Sequence, residues 1–154
     1  MGGSRAVLMV GLFLLASASA PLASSHNQQP LTVILVEDGV VSGNITDPAF
    51  VQGNALWFRM EDNTENTTMK VRLDIDQDGV FNASNDFEST DLVHECELNE
   101  TGALVDEDCA VSATYAFSMN ATVGTYAFWV HRTSNETETV WNLSLIHISE
   151  PTRR

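Results

Sequence analysis

Three aspartates at alternate positions, Asp74, Asp76 and Asp78, are followed at once by Gly79 in the stretch DIDQDG. Free carboxylates held this close repel one another, and a cation between them removes the repulsion. Oxygen donors at the first, third and fifth positions of a loop converge on one point, and glycine at the sixth allows the sharp turn that convergence needs. The chemistry open to these residues is coordination of a hard divalent ion, and calcium is the expected one. An acidic turn that only solvates a hairpin is the competing reading.

The segment resembles the calcium loop of EF-hand and dockerin-like proteins. That resemblance implies side-chain oxygens from Asp74, Asp76 and Asp78, the backbone carbonyl of Val80, and Asn82 acting through water at the ninth position. Departures are plain. The twelfth position is Asn85, with the carboxylate of Asp86 one residue late, the eighth is the aromatic Phe81, and no helical pattern flanks the loop. A strand-loop site closed by Asp86 or Asn85 fits better than a helix-loop-helix hand.

The elements that must carry this loop read as strands. Apolar residues alternate with polar ones in short windows separated by Asn, Asp, Gly and Thr, which is the period of half-buried strands. Expected strands run over 32–37, 55–61, 69–74, 110–119, 125–132 and 138–142, with a weaker one over 91–95. Leu56, Phe58 and Met60 should share a face, as should Met69, Val71 and Leu73, and Tyr126, Phe128 and Val130. In the longest window Val111, Ala113, Tyr115, Phe117 and Met119 should face one way. The five-residue link NATVG predicts a hairpin between the windows at 110–119 and 125–132. The fold class expected from this pattern is an all-β, antiparallel two-sheet sandwich. The string VGTYAFWV resembles the penultimate strand of immunoglobulin-like extracellular bead domains, which implies that Tyr126 closes a corner at the strand start.

Cysteine and asparagine usage point to export. Cys96 and Cys109 flank a hydrophilic stretch, and a disulfide is the expected state in an oxidising compartment. Zinc held by His94, Cys96 and Cys109 is the alternative. Sequons occur at Asn44, Asn66, Asn82, Asn99, Asn120 and Asn135, so a glycoprotein surface is one reading and a turn-rich composition the other. Residues 1–25 read as a signal peptide: Arg5, the apolar run AVLMVGLFLLA, then small residues where a peptidase can cut. That run is shorter than the roughly 20 residues a bilayer span needs. At the other end LSLIHISEPTR, residues 143–153, resembles a translated transposase sequencing adapter. The domain is therefore expected over 26–142, as the front piece of a longer protein, with 143–154 a non-native tail.

Of 154 residues, 21 are acidic and 7 basic, a net charge of -14. Such a chain is repelled by nucleic acid and by anionic membrane surfaces. From Glu61 to Asp108 there are 15 acidic and two basic residues, read as a solvated exterior or as a docking patch for a basic partner. No nucleophile elbow, zincin motif or phosphate loop is present, and the expectation is a non-catalytic module. The leading reading is a calcium-stabilised, disulfide-pinned, secreted or cell-surface bead acting as spacer or adhesion module, its partner an extracellular protein or glycan. Two alternatives stay open. One is an accessory domain of an exported hydrolase, and the other is carbohydrate binding through Trp57, Trp129 or Trp141, of which at least two are expected to pack in the core.

Overall fold

A computed structural model describes residues 30–42 and 50–151. The expected signal peptide and the sequon at Asn44 lie outside these residues. Within them there are eight strands and no helix: β1 (Leu31–Val36), β2 (Gly39–Ser42), β3 (Ala55–Met60), β4 (Thr67–Leu73), β5 (Phe87–Glu88), β6 (Ser112–Ala116), β7 (Gly124–Ser134) and β8 (Thr137–Ile148). They form two four-stranded sheets, ordered β2-β1-β3-β6 and β5-β4-β7-β8.

Alternation in the sequence becomes burial in the fold. Leu56, Phe58 and Met60 of β3 meet Met69, Val71 and Leu73 of β4 and Tyr126, Phe128 and Val130 of β7 in one core, to which β1 adds Val33 and Leu35. The rings of Phe58 and Phe128 lie 6.0 Å apart and join the sheets. Lys70 and Arg72 alternate with the buried residues of β4 and are partly exposed.

Several expectations are corrected. The windows at 110–119 and 125–132 do not form a hairpin, because β6 pairs with β3 in one sheet while β7 pairs with β4 and β8 in the other. The link between them crosses the sandwich. Alternation shows that each strand has an apolar face, but facing strands on opposite sheets satisfy it as well as neighbours do. Aromatic packing fixes the crossing: Phe117 sits against Tyr115 at 4.9 Å and Tyr126 at 5.0 Å. The long window is also trimmed to five residues, and its ends Val111 and Met119 are exposed. Residues 91–95 make no strand, only bridges at the buried Leu92.

Not every pairing is antiparallel, since β1 runs parallel to β3. β2 turns back along one edge of β1, and the chain then re-enters on the other side in β1's own direction. β8 extends past Asn142 to Ile148, where it pairs with the start of β7 after a register shift between Tyr126 and Phe128. Ile148 is buried. Only one tryptophan packs against the core: Trp141, whose ring would be in ordinary van der Waals contact, 3.8 Å away, with a Cβ placed on Gly39. Trp57 and Trp129 alternate with buried neighbours and sit half-buried on the outer faces of the two sheets.

At the crossing the Tyr126 hydroxyl donates to the Thr122 carbonyl at 2.5 Å. Tyr126→Phe should leave that carbonyl without its partner and lower stability by about 1 kcal/mol. Urea unfolding midpoints of the two proteins check this, and an unchanged midpoint would count against a role for the bond.

Candidate metal centre

β4 ends at Leu73 and delivers Asp74 directly into the candidate loop, with the Asp74 amide still donating to the Ala127 carbonyl of β7 at 3.0 Å. The first ligand position is thus held by the sheet, while the next residues turn away from it. Gln77 (φ 61°) and Gly79 (φ 81°) take left-handed backbone conformations that fold the segment back on itself. For Gly79 space is open around a would-be Cβ, so the requirement for glycine there is conformational. Gln77 fastens the loop to the sheet crossing by donating to the Thr125 carbonyl at 3.3 Å.

The turn brings Asp74, Asp76 and Asp78 together, with one carboxylate oxygen from each within 4.8 Å of the others. Asp76 and Asp78 are exposed, but Asp74 is only 2% exposed. One Asp74 oxygen accepts the Gly79 amide at 2.8 Å. The other, Oδ1, is buried and accepts no hydrogen bond from the described residues. Burial pushes the Asp74 carboxyl above its ordinary pKa, and the Asp76 side chain and the negative charge of Asp86 push the same way against the Gly79 and Asp78 amides. A buried acceptor without a partner costs about 1–3 kcal/mol, which a bound cation would remove.

The remaining expected ligands hold the loop's shape. Asp86 accepts the Ile75 amide at 2.8 Å through Oδ1 and the Asn82 amide at 2.7 Å through Oδ2, so its carboxylate ties the two ends of the loop together. Asn85 donates to Asp76 Oδ2 at 3.3 Å. The Asn82 carbonyl accepts the amides of Asn85 and Asp86, and its side chain accepts the Ser84 amide. The Val80 amide donates to Asp78 at 2.8 Å, and its side chain is exposed. Phe81, out of place in an EF-hand, lies under the Arg72 guanidinium at 4.6 Å and pins the loop to the outer face of β4. The Asp74, Asp76 and Asp78 cluster could hold a metal ion, and its donors, oxygens only with one of them buried and unpartnered among the described residues, are of the type that suits a hard cation.

Cys96 and Cys109 form a disulfide with a Cα separation of 5.9 Å, so both sulfurs are taken and the zinc alternative with His94 falls away. Asn66, Asn82, Asn99, Asn120 and Asn135 are all exposed, outside the strands. Asn135 and Glu136 have φ of 47° and 67° and make the two-residue turn between β7 and β8.

One constellation escaped sequence reasoning. The Asp62 carboxylate, in the β3–β4 connection, accepts Arg132 Nε at 2.7 Å and the Thr64 amide and hydroxyl at 3.0 and 2.6 Å. A signal was present: Arg132 falls on the inward stripe of β7 after Phe128 and Val130, and an inward cation requires a buried anion. Comparison with protein-family models, curated proteins and solved structures returns no match for this chain.

Proposed function

We propose that this chain is a calcium-stabilised extracellular β-sandwich module of immunoglobulin-like type, with a structural or adhesive role and no catalysis of its own. The observation that carries the reading is Asp74 Oδ1, a carboxylate oxygen buried without a partner beside two further carboxylates. The Tyr126 bond at the start of β7 supports the immunoglobulin-like assignment, since a corner tyrosine bonded to upstream backbone is a mark of those domains. Export is supported by the disulfide and by the exposure of five sequons.

Calcium here stiffens the end of the sandwich where β4 leaves one sheet and the β6–β7 crossing enters the same region through Gln77. Extracellular modules bind the ion at about 10⁻⁴ to 10⁻³ M. At roughly 10 mM free calcium the gain by mass action is about 1.4 to 2.7 kcal/mol, or a melting temperature higher by roughly 5 to 11 °C for a domain of this size.

The test is a thermal melt of the full chain in calcium and in chelator, alongside Asp76→Asn/Asp78→Asn, which leaves the buried Asp74 in place. The wild type should gain stability with calcium and the variant should gain little. Identical wild-type melts in calcium and chelator would remove the reading.

A further inference from the structure

We propose that the disulfide loop 96–109 is a docking loop for a basic protein surface, one that presents lysine or arginine side chains around an apolar pocket. The inference is independent of calcium. Leu98, Leu104 and Val105 are 57%, 40% and 58% exposed, so three large apolar side chains face water within eight residues. Around them stand Glu95, Glu97, Glu100, Asp106, Glu107 and Asp108, all exposed. Among the described residues none of the six makes an ion pair, whereas Glu61, Asp62, Glu88, Asp91 and Glu138 do.

A loop that merely kept the chain soluble would need neither the apolar residues nor a fixed shape, yet this one is built rigidly. Leu98 and Leu104 form an antiparallel bridge. Asn99 Oδ1 accepts three bonds, from the Thr101 amide and hydroxyl and from the Ala103 amide, at 2.9, 2.7 and 3.0 Å. Gly102 turns the tip with φ 81°, the Val105 amide returns to the Glu97 carbonyl at 2.9 Å, and the disulfide closes the base. Side chains held in place before binding lose little freedom on binding.

Charge selects the partner. From Val93 to His131 the chain has no lysine or arginine, so a second copy, a nucleic acid or an anionic bilayer would be repelled. A cationic surface would be drawn in. At the base of the loop, a depression of about 470 Å³ lined by Glu95, Cys96, Glu97 and Leu98 suits one long basic side chain, its stem on Leu98 and the disulfide and its head at the two carboxylates. A glycan on the Asn99 sequon would cover this tip, so glycosylation there and docking exclude each other.

The test uses the full chain, isotope-labelled for amide NMR, with two probes: an alternating leucine-lysine decapeptide and a serine-lysine peptide of equal charge. The leucine-lysine peptide should bind about tenfold more tightly, shift amides of residues 95–109, and weaken as salt is raised. Leu98→Ser/Val105→Ser, which alters only exposed side chains, should lose that tenfold preference while keeping the wild-type melting temperature. Equal affinity for the two peptides, shifts centred elsewhere such as residues 74–86, an unchanged double variant, or no binding at millimolar peptide would each overturn the proposal.

Discussion

Replacing Asp62 with alanine is expected to destabilise the domain by about 3–5 kcal/mol, as removal of one partner from a buried ion pair does elsewhere. The Asp62 side chain is 1% exposed and that of Arg132 13%. Alanine would leave the guanidinium largely enclosed, with the Thr64 hydroxyl, at 3.1 Å, its one remaining hydrogen-bond partner among the described residues. The loss is structural as well as electrostatic, because the Asp62 carboxylate holds the turn into β4 by accepting the Thr64 amide and hydroxyl.

The same pair sets an acid limb. Burial alone would raise the Asp62 carboxyl, but the bonds from Arg132 and Thr64 and the Arg132 charge outweigh it and hold the pKa below the ordinary 3.8. A carboxylate depressed in the folded state adds stability that is complete above its unfolded pKa and is lost as pH falls through the folded value. The wild type should therefore lose stability below about pH 4, and Asp62→Ala should lose less of it over the same range. Asp62→Leu with Arg132→Met should recover most of the stability at neutral pH, since apolar replacement of both partners is often neutral. Urea midpoints at neutral and acid pH measure all three proteins, and a loss under about 1 kcal/mol in Asp62→Ala would refute the role given to the pair.

Opening the Cys96–Cys109 disulfide is expected to cost about 3 kcal/mol, the chain-entropy value for a loop of this length. The bond spans 13 positions in sequence. Just inside it Leu92, fully buried, bridges to both Met69 and Ala110, and the Val93 amide donates to the Ala110 carbonyl. The disulfide thus closes a loop whose neck enters the core, and freeing the loop weakens that neck. Cys96→Ala/Cys109→Ala should lower the urea midpoint and raise amide exchange at Leu92 and Val93 while leaving β7 the most protected strand. A cost under about 1 kcal/mol would mean that the loop's own bonds, led by the Asn99 side chain, hold the neck without the crosslink.

Legibility differed by the range of the interaction. The inward faces of β3, β4 and β7 could be read directly, because alternation of Leu56, Phe58 and Met60, or of Met69, Val71 and Leu73, is a local property of an extended chain. The three aspartates and Gly79 could be read for the same reason, since ligand spacing within one turn is set by backbone geometry. The β1–β2 hairpin went unread, although the Asp-Gly step at 38–39 lies at its turn, which Glu37 and Asp38 make before Gly39 pairs with Val36. Phe81 looked like a flaw in the motif until its partner, Arg72 on the neighbouring strand, was in place.

Composition and order of residues determined by themselves that this chain makes strands, which side of most of them turns inward, and where carboxylates and sulfurs cluster, because each of these depends on neighbours along the chain. Which strand lies beside which, the passage of β6 to β7 from one sheet to the other, and the meeting of Asp62 with Arg132 were decided only by tertiary structure. Those outcomes depend on residues as far apart as 70 positions, and every pairing that buries the same apolar faces satisfies the local pattern equally well. Only the packing of particular side chains, such as Phe117 against Tyr126, separates one such pairing from another.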